Sequence, residues 1–233
     1  MRWLLTLLFC GMCCVWAQAG NVTYSTPSGS TVSGGPVDAT AVFLIMNGMI
    51  DVTLKNLQGN PTSVGQLLSD LSFTLGNGGS LIGASLSSSL GQEITVNSNV
   101  SSTLGAAVPT GWAFTSSGTT TGTLNLLVTS TTPTHLIIGP PGLGSIYSNA
   151  DGSIAGNKPH NPFLNGSATF AITGPGITSS TTITSATFSF GTTPGVNVNG
   201  VPRVPEPSAA LLLGLGTLGL MGLATASRKL IST

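Results

Sequence analysis

Five stretches of the chain alternate apolar and polar residues with a period of two. In MIDVTLKNL, Ile50, Val52 and Leu54 alternate with Asp51, Thr53 and Lys55. In DLSFTL, Leu71, Phe73 and Leu75 alternate with Ser72 and Thr74. Leu124, Leu126 and Val128 share a face of TLNLLVT, Ala168, Phe170 and Ile172 a face of SATFAIT, and Ala186, Phe188 and Phe190 a face of ATFSF. Such alternation marks strands with one buried and one wet face. Threonine at the outer positions suits extended backbone. Asn47-Gly48, between ATAVFLIM and MIDVTLKNL, predicts a hairpin, because both residues tolerate the positive φ of a type I′ turn. Residues 64–68 predict one short helical turn, and no long amphipathic helix is expected between residues 20 and 201. Many short strands punctuated by Gly, Pro and Asn predict a mainly β domain of the β-sandwich type. The competing expectation, a partly disordered low-complexity chain, fits the regular Phe and Leu alternation less well.

The ends follow a different pattern. Residues 3–16 form an apolar run behind Arg2, and Ala17-Gln18-Ala19 follows it. That order predicts a signal peptide over 1–19, cut after Ala19, for which Ala17 and Ala19 supply the small-x-small rule. The run is short for a membrane span. Cys10, Cys13 and Cys14 are the chain's three cysteines. Cleavage therefore leaves an exported body, residues 20–201, with neither thiol nor disulfide, although the destination would permit disulfides.

At the other end, residues 208–226 carry no charge. As a helix they would extend about 28 Å, close to the hydrocarbon thickness. Arg228 and Lys229 follow as a stop-transfer pair and hold the tail in the cytoplasm, with the body outside. Gly214, Gly216, Gly219 and Gly222 would smooth part of that helix. Just before it stands Val204-Pro205-Glu206-Pro207-Ser208. Its two prolines hold a preorganised extended backbone around one carboxylate. Such a handle is recognised at low entropy cost.

The order Val-Pro-Glu-Pro-Ser, glycine-rich apolar segment and short basic tail, over residues 204–229, resembles the PEP-CTERM sorting signal of Gram-negative bacteria. The departure is the tail, which continues as Leu230-Ile231-Ser232-Thr233. The resemblance implies a substrate of exosortase, a membrane enzyme thought to cut near Pro-Glu-Pro. It also implies a final place at the cell surface or in a matrix associated with exopolysaccharide. Residues 202–233 form the sorting segment in this reading: motif 204–208, transmembrane α-helix 208–226 and basic tail 227–233. Pro205, Glu206 and Pro207 would be recognised residues of a substrate, with no catalytic part. Two body segments, starting at Asn47 and at His160, are similar to a recurring extracellular β-domain of such proteins.

Composition narrows the chemistry further. Charged residues are 5% of the chain, against roughly 25% in soluble proteins, and the formal net charge is zero. No basic surface is available to track phosphates, so nucleic-acid binding is excluded from the expectations. The mean hydropathy of +0.41 reflects the apolar ends. The body's acids are Asp38, Asp51, Asp70, Glu93 and Asp151, and its histidines are His135 and His160. Asp51 and Glu93 are expected as solvated charges on outer faces. His135 opens HLIIG, a short buried-looking strand, and is read as a core or capping residue; His160 is read as a turn residue. Two distant histidines make a weak metal set. SNADGSIAGN, with Asn149, Asp151 and Gly152, is read as a turn, being less acidic than an EF-hand calcium loop. Asn21, Asn99 and Asn165 stand in Asn-x-Ser/Thr sequons that chance explains.

The expectations are a mainly β, non-enzymatic structural protein of the surface or matrix, with no cofactor and no metal. Its partners are the Sec translocon, exosortase, the membrane through the C-terminal helix, and exopolysaccharide. Three alternatives stand beside it. One is a carbohydrate-binding module or adhesin, with Trp112 and Phe114 as an exposed stacking platform, although Trp112 is read first as a core residue. Another is a small secreted hydrolase using a carboxylate pair. The third is polymerisation through uncharged strand edges.

Overall fold

A computed structural model describes residues 20–125, 135–158, 160–193 and 195–203. The signal segment with Ala17 and Ala19, the residues Leu126 and Val128, and the tail from Val204 onward lie outside the described residues. The chain divides into two units, residues 1–202 and 203–233, and the fold described here belongs to the first.

The strands run β1 Gly20–Ser25, β2 Thr31–Val32, β3 Gly35–Pro36, β4 Ala39–Met46, β5 Met49–Asn56 and β6 Leu68–Gly76. They continue as β7 Ser85–Val96, β8 Ser102–Val108, β9 Ala113–Ser117, β10 Thr121–Asn125 and β11 Ile137–Ile138. The last four are β12 Phe163–Thr173, β13 Thr182–Phe190, β14 Asn197–Asn199 and β15 Val201–Arg203. Apart from the β2–β3 pair, they form one continuous hydrogen-bonded sheet. That sheet folds over into two facing layers. One runs β9-β10-β6-β13-β14, and the other β15-β1-β4-β5-β12-β7-β8. Short β11 ties them together, antiparallel to β6 and parallel to β12. The molecule is thus mainly β and sandwich-like, as the alternation predicts.

The alternation also names the inner faces. Ile50, Val52 and Leu54 of β5, Leu71, Phe73 and Leu75 of β6, and Ala186, Phe188 and Phe190 of β13 are all buried. Ala168, Phe170 and Ile172 of β12 join them, as do Leu124, Ile137 and Ile138. Phe43 of β4 meets Phe73 of β6 at 5.3 Å between ring centroids, which joins one layer to the other. Tyr24 lies edge-on to Phe43, and its hydroxyl donates to the carbonyl of Ile183 at 3.0 Å.

Most polar groups inside this body are matched; among the described residues Ser69 Oγ and His135 Nε2 are buried without a hydrogen-bond partner. Asn56 donates to the carbonyls of Gln66 and Ile137 and accepts from the Gln58 amide. Gln66 closes the predicted helical turn, a single 3₁₀ turn over Val64–Gln66. Its side chain accepts from the Thr62 and Ser63 amides and donates to the Pro36 carbonyl. A buried amide is tolerated when all its bonds are made. The only α-helix among the described residues is the single turn Gly152–Ala155. No helix of the described residues is long and apolar enough to cross a membrane.

The β4–β5 hairpin corrects one detail. Its register pairs Met46 with Met49, so Asn47-Gly48 is the turn. Gly48 takes φ 78°, whereas Asn47 is not among the positive-φ residues. A type I′ turn needs both; one positive φ at the second position is the pattern of type II. Tertiary contacts account for the difference. Asn47 Oδ1 accepts from the Ser179 amide at 2.8 Å, and the Gly48 amide donates to Ile177 at 2.9 Å.

Truncating the inter-layer contact tests this architecture. Phe43→Ala removes a fully buried ring and is expected to cost about 3–5 kcal/mol, read by urea denaturation. A loss under about 1 kcal/mol would contradict the packing described.

Candidate functional site: a polar pocket around Asp70

Because Leu71, Phe73 and Leu75 point inward, Asp70, Ser72 and Thr74 of β6 must point outward. Strand β6 is central, with β10 on one side and β13 on the other. Register places Asn125 and Ser189 directly beside Asp70, and Thr123 and Thr187 beside Ser72. One strand further, Asn197 faces Ser189 and Asn199 faces Thr187. These side chains make two polar rows across four strands. All of them except Asn199 line a pocket of about 200 Å³, to which Gly195 contributes its bare backbone.

Within the rows the hydroxyls are committed to one another and not to the acid. Ser189 Oγ donates to Asn197 Oδ1 at 2.6 Å, Thr187 Oγ1 to Asn199 Oδ1 at 3.2 Å, and Thr123 Oγ1 to Ser72 Oγ at 3.3 Å. Desolvation of this half-buried carboxyl pushes Asp70 up to about 7. A carboxyl in this state exchanges its proton near neutrality and can accept or donate a hydrogen bond. The sequence shows Asp70 only as one acid among five. The outward position of Asp70 in DLSFTL was readable; that β6 would be central, and its acid half-buried, was not.

The other expected residues are dispersed. Asp51 is half-buried and lines a separate groove of about 440 Å³ on the other layer, with Asn21, Leu44 and Ser88. Asp51 and Asp70 thus occupy different pockets. A third pocket, beside Leu104 and Asn165, has no acid in its lining. Glu93 is not the solvated charge expected. It is half-buried, with Oε1 3.7 Å from His135 Nε2. His135 is 1% exposed and joins the core as expected; its Nδ1 bonds the Pro162 carbonyl at 2.8 Å. Asp151 caps the helical turn by accepting from the Ser153 amide at 2.8 Å, which is the turn role expected. Among the described residues no three His, Cys, Asp or Glu side chains are grouped to hold a metal ion.

Trp112 is the core residue expected, and the alternative that made it an exposed glycan contact is corrected. It is 5% exposed, with its ring 5.2 Å from Phe170 and Nε1 donating to the His135 carbonyl at 2.8 Å. An indole held in the core on both its apolar and polar sides is no exposed platform. Phe114 is half-buried and stacks on Phe73. The aromatic pair in TGWAFTS is spent on packing.

These observations define a class: a β-sandwich-like body with polar outer faces, followed by a separate C-terminal segment. The family model of the PEP-CTERM protein-sorting motif matches residues 203–229, and the chain is a protein carrying that sorting domain. The match takes in Val204, Pro205, Glu206, Pro207 and Ser208, and Arg228 with Lys229. It implies an exported protein sorted and processed by exosortase. No curated protein and no solved structure matches the chain.

The raised carboxyl has a measurable consequence. Between 3.8, its ordinary value, and about 7, folded Asp70 holds a proton that the unfolded chain has released. The folded state binds more protons there, so this contribution stabilises fully below the lower value and is lost as pH rises through the upper one. Asp70→Asn is expected to raise Tm at pH 7.5, by about 2–4 °C per kcal/mol recovered, and to flatten Tm between pH 5 and 7.5. An unchanged slope would contradict the burial of this acid.

Proposed function

We propose that this chain is an exported, non-enzymatic structural protein of the cell surface or extracellular matrix, associated with exopolysaccharide. The observation that carries the reading is the sorting motif at residues 203–229. The proposed route is export through the Sec translocon, retention by the apolar segment 208–226 with Arg228 and Lys229 as its stop, and recognition at Pro205-Glu206-Pro207. The body is then transferred to the envelope or the polysaccharide layer.

The body's chemistry supports that destination. Its outer faces present Ser, Thr and Asn, and the whole chain has zero formal net charge. Hydroxyls and amides exchange hydrogen bonds with sugar hydroxyls and with bridging water at little net energy each. Useful retention then comes from many contacts at once. Such binding does not depend on ion pairs, so salt leaves it unscreened.

Two measurements test this. Replacing Pro205, Glu206 and Pro207 together by alanine is expected to hold the protein in the inner membrane and deplete it from the surface and medium. Normal delivery of that variant would remove recognition at the motif. The native product is also expected to sediment with isolated exopolysaccharide equally well in dilute and in molar salt. Release by salt would point to an electrostatic partner instead.

A further inference from the structure

We propose that the pocket around Asp70 is a binding site for a neutral saccharide, contacted through its hydroxyl groups. The inference deepens the exopolysaccharide reading and rests on it for the source of the sugar. The observation behind it is an unanswered acceptor. In a nearly uncharged body, the half-buried carboxyl of Asp70 lines this pocket with no hydrogen-bond or ion-pair partner among the described residues. The hydroxyl of Ser189, beside it in register, and those of Thr123 and Thr187, beside Ser72, donate elsewhere. Partly burying a carboxyl costs free energy that no group among the described residues returns. A ligand bringing hydroxyl donors would return it.

The pocket's form selects the ligand. Strands stand about 4.8 Å apart, so the row Asn125, Asp70, Ser189, Asn197 runs for about 14 Å across the layer. The parallel row Thr123, Ser72, Thr187, Asn199 lies about 7 Å away on the same face. This is a flat strip of alternating hydroxyl and amide groups with one carboxyl near its middle, long enough for more than one sugar ring. The pocket of about 200 Å³ is the recess in that strip. The hydroxyls and amides of the wall both donate and accept, as do the hydroxyls of a polyol, and the ionised carboxylate accepts. A divalent cation is the poorer match, since calcium takes six to eight oxygens that usually include several carboxylates. A cationic or anionic ligand would also find no second charge here. Strands β6, β10, β13 and β14 hold no titratable side chain other than Asp70.

Asp70 makes the binding respond to pH. The ionised carboxylate accepts charge-assisted bonds, so affinity rises as pH passes upward through about 7.

The test uses the native exported product, titrated calorimetrically with glucose, galactose, mannose and N-acetylglucosamine, and separately with calcium chloride. The expected result is saturable binding of at least one sugar at pH 8. Asp70→Asn should weaken it about tenfold or more, as for loss of hydrogen bonds to a charged group. Asn197→Ala should weaken it less, and Asp51→Asn, in the other groove, should leave it unchanged. Asp70→Asn also removes a buried charge, so its fold is expected to be at least as stable, and the Tm measured alongside checks this. Calcium binding that depends on Asp70, with no sugar bound, would overturn the proposal; so would no sugar binding, or sugar binding indifferent to Asp70→Asn. Exopolysaccharide retention separates the two readings. Equal retention of wild type and Asp70→Asn would leave the matrix role standing and remove this site. Sugar binding by a protein that polysaccharide does not retain would do the reverse.

Discussion

The contact of Phe43 with Phe73 is where the two layers of this protein meet, and the remaining structure depends on it. Tyr24, Phe43, Phe73 and Phe114 form a chain of rings from β1 through β4 and β6 to β9, each within 6.5 Å of the next. The described residues include no cysteine, since all three lie at positions 10, 13 and 14. With 5% charged residues, ion-pair networks are not available either. Apolar burial, at about 1.5–3 kcal/mol for a large side chain, must hold the layers together against chain entropy.

That requirement shapes the surface. Because every inner position of the long strands is spent on the core, chemistry is left to the outward set. On the β6 layer this set is serine, threonine and asparagine with a single acid. The central place of β6 in its layer leaves Asp70 half-buried. A site therefore arises as a by-product of strand position, with no motif to announce it.

Much of the fold was legible in the residues for this reason. Period two in MIDVTLKNL, DLSFTL and ATFSF named the inner faces, because a one-residue slip would expose every apolar side chain. Asn47-Gly48 located a hairpin, but its turn type was decided by hydrogen bonds to residues 177 and 179, far away in sequence. The site was less legible. Trp112 was read first as a core residue, but the platform stayed open as an alternative because local sequence cannot tell whether a ring meets solvent or Phe170. Glu93 looked solvated because nothing local brings His135 to it. Asp70 carried no signal beyond its outward parity; its neighbours Asn125 and Ser189 come from strands 55 and 119 positions later in the chain. The sorting motif was legible in full, since a linear recognition signal has to be contiguous to be read.

The central claim is that a folded β body is delivered by a removable C-terminal signal. The measurement that tests it most directly is the intact mass of the native product, taken from the envelope and from the medium. The account predicts a chain that starts at Gly20 and ends near Pro205-Glu206-Pro207. A product in the inner membrane that retains Arg228 and Lys229 would contradict it, and would make the tail a permanent anchor.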